Sequence, residues 1–469
     1  MIRRVTLIEP KNEHLHIFSR FELPRLGGIL LATILRDQGY EARALFMSRR
    51  EISALPLETD LVGISVITAT APAAYALADE YRSRGVPVVM GGPHVSFLPE
   101  EALEHADYCV AGEGEKAFPL LLSALNGQGK LEEVPGLVWK EAGVARRNAP
   151  ATPVEDLDTL PFPDFSLLTM GRGMKLASAG GGKITVPVQT SRGCPFDCTF
   201  CSVTGMFGRR YRHRSTASVI AELSRLDPRR HLIFFYDDNF TANPRRTKEL
   251  LREMIRLRLG FHWSTQVRSD VARDPELLDL MARAGCTTLF IGFESVDPVA
   301  LREMKKNQSV EEIRTAIRAI RAHRIHVHGM FVFGFDSDTP ATTRATVDFA
   351  LAEKIDSAQF LLLTPLPGSA FYADVAAQDR LLDRAWDTYD AHHVKFRPAG
   401  FTPYELQRAQ IEAHRRFYAP HHVVARLLRG RVAGFVIGVY ASRLNRQWQR
   451  MERRYLDLLR ALRPLPVSA

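Results

Sequence analysis

Short apolar runs alternate with amphipathic stretches through most of the chain. RRVTLIEP (3–10) reads as a strand, and LGGILLATILRDQGY (26–40) as a helix stopped by Gly39. LVGISVI (61–67) is a buried strand, APAAYALADEYRSRG (71–85) a helix closed by Gly85, and VPVVMGG (86–92) a strand. PEEALEHA (99–106) predicts a short helix and ADYCVAG (106–112) another strand. Strands separated by helices need crossover connections, so residues 1–135 are expected to form a doubly wound, Rossmann-like α/β domain. Ligands of such sheets sit beyond the C-terminal ends of the strands. Those ends carry Glu9-Pro10, Thr68–Thr70, Gly91-Gly92 and Gly112-Glu113-Gly114.

Residues 136–183 read as a connector. GLVWKEAGVARR (136–147) predicts a hairpin, PATPVEDLDTLPFPDF (150–165) is too proline-rich for a packed element, and glycines 180–182 precede a new strand. From 184 to 385 a second strand–helix series runs, with strands near 184–190, 231–236, 261–266, 287–293, 326–333 and 358–363. Helix signals fall between them: Asp274-Pro275 with a Gly285 stop, the capping box Ser309/Glu312, and Thr339-Pro340. Six such units predict a partial (β/α)6 barrel with its site at the C-terminal mouth of the strands. Residues 386–469 are expected to be helical and basic.

Composition places the chain among ordinary globular proteins: 469 residues, 46% hydrophobic and 25% charged. Apolar runs fall short of the roughly 18 residues of a membrane span, and the N-terminus lacks signal-peptide features, so a cytoplasmic location is expected. The net charge of +9 is concentrated at the end. Residues 420–469 hold ten arginines (426, 429, 431, 443, 446, 450, 453, 454, 460 and 463) against Glu452 and Asp457. The remainder is close to neutral, so no general nucleic-acid surface is indicated. The apolar run Val432–Ala441 among these arginines reads either as a helix packed on the barrel or as an interfacial helix meeting anionic lipid.

Three of the five cysteines, Cys194, Cys198 and Cys201, fall in SRGCPFDCTFCSV (191–203), just after the first barrel strand. Structural zinc wants four ligands, and beyond these three only His213 offers itself. A redox pair needs two thiols and leaves Cys194 unexplained. Three thiolates suit a 4Fe-4S cluster with one iron open to a ligand. Cys109 and Cys286 stand alone and read as buried small residues.

The CxxxCxxC spacing, with Phe200 before the last cysteine, resembles the signature of radical S-adenosylmethionine (SAM) enzymes over the whole 184–385 segment. The resemblance implies that the open iron chelates SAM, and that one electron cleaves SAM to methionine and a 5′-deoxyadenosyl radical. It also implies cofactor contacts at successive strand ends. Beside Phe200 these are Asp237, Asp238 and Asn239 in FFYDDNF, Gln266, Arg268, Ser269 and Asp270 in WSTQVRSD, Glu294 and Ser295 in IGFES, and Gly334 in HGMFVFGF near the adenine.

LPRLGGILLATILRDQGY, ISVITAT and VVMGGPHVSFLPEEALEHADYCVAGEGE resemble the cobalamin-binding domain of one large branch of this family. The implied contacts to the cobalamin nucleotide tail are Ser65, Thr68, Thr70, Gly91 and Gly92. Base-off cobalamin domains use D-x-H-x-x-G, whose histidine ligates cobalt. Here NEHLHI (12–17) puts His14 only loosely in place, without the glycine, so a solvated loop histidine is the simpler reading. His94 reads as structural. The methylthiotransferases need three further N-terminal cysteines, and this segment has only Cys109.

The expectation is a cobalamin-dependent radical SAM methyltransferase acting on unactivated carbon. Its cofactors are a 4Fe-4S cluster, SAM and cobalamin; its electron comes from an external donor such as flavodoxin or ferredoxin. Its substrate is a small or lipid-like molecule, with peripheral contact at the inner face of the membrane through the tail. A cyclase or rearrangement enzyme on the same two domains, and a non-enzymatic zinc scaffold, are the alternatives.

Overall fold

The chain was analysed as a computed structural model, which describes residues 1–462 except 13, 16–22, 172–177, 180–181, 307, 429 and 431. Gly180 and Gly181, Arg429, Arg431 and Arg463, and Glu13, His16 and Ile17 of NEHLHI therefore lie outside the described residues.

The N-terminal sheet has eight strands. Its parallel centre runs Tyr108–Val110, Val88–Gly91, Leu61–Ser65, Arg4–Pro10, Glu41–Met47. The Glu41–Met47 strand goes unnoticed in the sequence, because EARALFM is rich in helix formers. Burial of its second half against Arg4–Pro10 decides the matter. The expected hairpin forms as Leu137–Glu141 and Val144–Arg147, antiparallel to Tyr108–Val110. Leu168–Met170 adds a parallel strand at the other edge. Both edges of this sheet are thus built from residues that read as a connector.

The second sheet has seven strands. Six are parallel and consecutive: Lys183–Val188, His231–Phe235, Trp263–Val267, Cys286–Glu294, His326–Phe333 and Ser357–Leu362. Ser178–Ala179 pairs antiparallel at the near edge. Apolar side chains from every one of the six, led by Phe235, Trp263, Phe293, Phe331 and Phe360, share one core with the surrounding helices. Predicted caps are present: Asp274 accepts from Leu277 N, and Ser309 and Thr339 each close a capping box.

The far edge strand Ser357–Leu362 would expose unpaired backbone groups. One face of the Pro403–Phe417 helix and its extension covers them. Gln410 Nε2 donates to Phe360 O at 3.0 Å, and Tyr418 Oη takes the Ala358 amide at 2.9 Å while donating to Ala358 O at 2.7 Å. The last two helices, Val432–Met451 and Arg453–Ala461, pack behind it through Ala441, Leu444, Trp448 and Leu459. No helix among the described residues is long and apolar enough to cross a membrane.

The C-terminal ends of the two sheets face each other. Glu113, just past the Tyr108–Val110 strand, accepts from Arg192 Nη1 at 3.1 Å and pairs with Arg212 through both carboxylate oxygens. It also accepts the Val154 amide at 2.9 Å, and Glu115 adds a 2.6 Å bond from Arg192 Nη2. Phe97 lodges in a notch floored by Gly205 and Gly368. A Cβ at Gly205 would lie 3.0 Å from the Phe97 ring, and one at Gly368 would collide with it. Burial pulls the Glu113 carboxyl up, but the Arg212 hydrogen bond and the Arg192 charge outweigh it and hold it below the usual 4.5.

Glu113→Ala leaves two buried guanidiniums short of their counter-charge and is expected to cost about 3–5 kcal/mol, read as a lower midpoint in urea. Because the folded carboxyl titrates below its unfolded value, the stabilisation is complete above pH 4.5 and is lost as pH falls through the folded value. The variant should therefore show a flatter acid limb in stability against pH.

Candidate active site

The cysteine loop leaves the first barrel strand at Thr190. Asp237 fixes that exit: it accepts from Thr190 N at 2.7 Å, from Ser191 N at 3.0 Å and from the Thr190 hydroxyl. Arg246 Nη1 completes the knot with a 2.8 Å bond to Thr190 Oγ1. Both carboxylate oxygens of Asp237 are thus occupied, and it acts as a brace between strand ends rather than as an open cofactor contact. Ser191-Arg192 then pairs antiparallel with Arg212-His213. Gly193 turns with φ +85, where a Cβ would press on Arg210 O.

Beyond this turn come Cys194, Cys198 and Cys201, all partly buried and free. Burial pushes the Cys194 and Cys201 thiols up, Cys201 to about 12, with the Cys198 and Asp238 charges adding to the effect. Thiols held in this way release protons when a cluster binds. The one set of three donors among the described residues whose ligating atoms close to within 4.8 Å contains none of them. His213, which could have offered a fourth zinc ligand, is exposed, with its Nδ1 3.3 Å from Arg214 O.

The next strand ends surround the triad. Asp238 keeps exposed surface although its carboxyl is largely enclosed by protein. Burial and the neighbouring Asp237 charge push its carboxyl up to about 7. Asn239 is buried, with Oδ1 3.3 Å from Thr241 Oγ1. Gln266 is half-buried and its carbonyl takes the Phe240 amide. Arg268 lies 3.7 Å over the Phe196 ring, within the cysteine motif, and reaches to 3.9 Å from Cys198 Sγ. Its Nη2 donates to Lys306 O at 2.6 Å, and Asp270 lies 3.8 Å from its Nε. Ser269 donates to Gln308 Oε1 at 2.6 Å.

Glu294 has φ +62 and pairs with buried Lys306 at 2.8 Å. Ser295 caps the next turn by accepting from Asp297 N. Phe200 packs edge-on to Phe335 with centroids 6.3 Å apart. Gly334 has φ +117, and its Cβ direction points at Leu406 and Phe396 in the core. Its glycine identity therefore serves the turn, which Asp338 holds by accepting the Gly334 and Phe335 amides at 2.9 and 3.1 Å. Phe196, Lys306 and Gln308 were not singled out in the sequence. Phe196 could have been, since it lies inside SRGCPFDCTFCSV; nothing local marks the other two.

Across the cavity, Ser65 and Gly91 are register neighbours at adjacent strand ends and stay half-exposed. Gly92 has φ +96, and a Cβ there would meet Val66 O at 2.8 Å, so its own turn demands glycine. Thr70 spends its hydroxyl on Ile67 N and O. Thr68 Oγ1 lies 3.3 Å from His94 Nδ1, and His94 Nε2 meets Tyr75 Oη at 2.9 Å. Tyr75 and Trp386 Nε1 both donate to Glu101. His94 is thus structural, and burial drives it down to about 4. His14 is not a solvated loop histidine: its Nδ1 and Nε2 lie against Glu452 and Asp387 at 3.4 and 3.3 Å, away from any cobalt-ligating role. Cys109 and Cys286 lie in the two hydrophobic cores. Of the residues implied for cofactor contact, Asp238 is exposed and Phe200, Gln266, Ser65, Gly91 and Gly92 are partly exposed, whereas Arg268 is buried.

The Radical SAM superfamily model matches residues 188–350, and the B12 binding domain model matches 18–122. An uncharacterized methyltransferase of Pyrococcus horikoshii is 32% identical over 408 residues, 84% of this chain and 88% of that protein. Bacteriochlorophyllide d C-12(1)-methyltransferase of Chlorobaculum tepidum is 27% identical over 429 residues, 90% of this chain and 88% of that one. The radical S-adenosylmethionine methyltransferase TsrM from Kitasatospora setae, solved with cobalamin and a 4Fe-4S cluster, superposes with a TM-score of 0.66 at 24% identity. That superposition covers 81% of this chain and 78% of that one. A cysteine triad on a six-stranded half-barrel, its loop joined through Glu113 to a B12-type sheet, agrees with both matches, and the chain belongs to the cobalamin-binding-domain radical SAM enzymes, whose cofactors are a 4Fe-4S cluster, S-adenosylmethionine and cobalamin.

Proposed function

We propose that this chain methylates an unactivated carbon of a small-molecule substrate in the cavity between its two sheets. The observation that carries the reading is the closure of the cysteine loop onto the B12-type domain by Glu113, which ties the triad's loop to the sheet whose strand ends carry Ser65 and Gly91. Cys194, Cys198 and Cys201 hold the cluster through three irons. The donor set fits, with three free, partly buried thiols and Arg268 beside Cys198 to balance thiolate charge. Asp238 takes the polar end of SAM, and Gln266 and Ser269 line its path. The buried Glu294–Lys306 pair fixes the fourth strand end behind it. Phe200 and Gly334 form the back wall. Ser65, Thr68, Gly91 and Gly92 border the cobalamin tail, with Thr70 holding their turn.

Once bound, these groups supply the electron that cleaves SAM to a 5′-deoxyadenosyl radical and the cobalt-carried methyl that replaces the abstracted hydrogen. The protein's part is to bring both reacting centres into one water-poor space. An external one-electron donor of the flavodoxin or ferredoxin type completes the system.

The tail reading extends this to a membrane surface. The Pro420–Leu428/Val432–Met451 hairpin exposes Val424, Leu427, Leu428, Val432 and Val436, while Arg426 turns inward over Phe417 and Tyr418. Exposed apolar side chains in an arginine-rich region fit peripheral contact with anionic lipid.

Anaerobic purification with added cobalamin should yield about four irons and about one cobalt per chain, and turnover should release S-adenosylhomocysteine together with 5′-deoxyadenosine. Iron without cobalt would sink the methyl-transfer reading, and zinc in place of iron would sink the enzyme. Asp238→Asn should weaken SAM binding in equilibrium dialysis. In ligand-free protein the same variant should melt higher than wild type at pH 8 but not at pH 4. A carboxyl raised from 3.8 to about 7 loses stability as pH climbs through that window, and Asn does not. Vesicles of anionic lipid should sediment with the wild-type chain at low salt and several-fold less with Leu428→Glu/Val432→Glu.

A further inference from the structure

Among the described residues, one group outside the cysteine loop has the donors and spacing of a metal site. His14, His393 and Glu452 bring their ligating atoms within 4.8 Å of one another. They come from three distant stretches: the segment after the Arg4–Pro10 strand, the region past Trp386–Thr388, and the turn between the last two helices. Glu452 lies between the two rings. Its Oε1 is 3.4 Å from His14 Nδ1, and its Oε2 is 3.5 Å from His393 Nε2.

The far nitrogen of each ring has a carboxylate of its own. His14 Nε2 lies 3.3 Å from Asp387 Oδ2, and His393 Nδ1 lies 3.0 Å from Asp390. Without an ion, carboxylates on both sides of each ring raise His14 and His393 and keep them protonated; a bound ion displaces the protons that face Glu452, while Asp387 and Asp390 keep the outer N–H of each ring. Both lone pairs then converge on Glu452. This carboxylate–imidazole–metal relay is how histidine ligands are oriented in metalloproteins.

Two further observations point to a ligand. The His393 side chain is 0% exposed, and its Nε2 meets Glu452 Oε2 only at 3.5 Å, short of a well-formed hydrogen bond, although buried polar atoms normally have one. The ring is walled by Tyr455 and Trp448, with centroids at 4.8 and 5.2 Å, so it cannot swing away to find a partner. The spacing also fits. Bonds of about 2.1 Å in a tetrahedron put neighbouring ligand atoms about 3.4 Å apart, close to the two distances to Glu452. Charge agrees: Asp387, Asp390 and Glu452 face each other across two imidazoles, with Lys395 the cation acting on Asp387 besides His14. A divalent ion takes the place of the two protons that the rings carry without it.

We propose that His14 Nδ1, His393 Nε2 and Glu452 bind a divalent transition-metal ion of the zinc class, with a fourth position left for water or another small ligand. Nitrogen and carboxylate donors in this number suit zinc, as three thiolates suit the iron–sulfur cluster. The ion ties the N-terminal segment to the C-terminal helices across the edge of the interdomain cavity. This site is separate from the cysteine loop and does not depend on what that loop holds.

The test loads the full-length protein, with its iron–sulfur cluster in place, with zinc alone, followed by exhaustive dialysis and metal analysis. About one zinc per chain beyond the iron is expected, with anomalous scattering between the three side chains. Glu452→Gln and His393→Ala should each lose that zinc while keeping their iron, and zinc should raise Tm in wild type but in neither variant. His14→Ala, at the rim, provides a third variant should His393→Ala fail to fold. Absence of zinc from the wild type would overturn the proposal and leave a protonated histidine–carboxylate network. Zinc retained in all folded variants would overturn it as well, by placing the metal elsewhere.

Discussion

One carboxylate holds the two halves of this molecule in working register. Glu113 projects from the C-terminal end of one sheet into the loop that carries the cysteines of the other, and there it meets Arg192 and Arg212. Both arginines belong to the short ribbon that launches and closes the cysteine loop. A buried carboxylate between two buried guanidiniums is costly to break, since removing either side strands a charge away from water. The position of the triad relative to the B12-type sheet is therefore set by charge compensation, and the Phe97 notch between Gly205 and Gly368 adds shape to it.

Around the triad the strand ends divide their labour. Residues whose side chains are tied to neighbouring elements hold the scaffold: Asp237 ties two strands, Asp338 holds the Gly334 turn, and Glu294 pairs with Lys306. Asp238, by contrast, keeps exposed surface. Arg268 stands between these roles, since it stacks on Phe196, anchors to Lys306 O and still points at Cys198. The division explains why adjacent acids in one motif behave differently. Asp237 is wholly occupied by backbone and hydroxyl donors, whereas Asp238 has none of these and feels its neighbour's charge.

The C-terminal helices do more than cover the barrel. A partial barrel ends in a strand with open backbone groups, and Gln410 and Tyr418 supply side-chain partners in place of a seventh strand. The helices behind them carry Glu452 back to His14, so the last helical layer touches the first loop of the chain. The two sheets and the tail thus form a closed circuit around the interdomain space.

The sequence by itself determined the architecture and the chemistry at its centre. Periodicity located all six barrel strands, because fully buried parallel strands leave runs of apolar residues that need no context to read. The cysteine spacing marked the metal chemistry, because all three ligands lie within one loop and their geometry is local. Tertiary structure alone decided the rest. The Glu41–Met47 strand depends on neighbours that override its helix-forming residues, and the connector's strands exist only as sheet edges. The roles of Asp237, Gly92, Thr70 and Gly334 turned on which polar atoms and which Cβ directions other elements had already claimed. His14, His393 and Glu452 meet across the whole length of the chain, and a contact of that span leaves no trace in the order of residues.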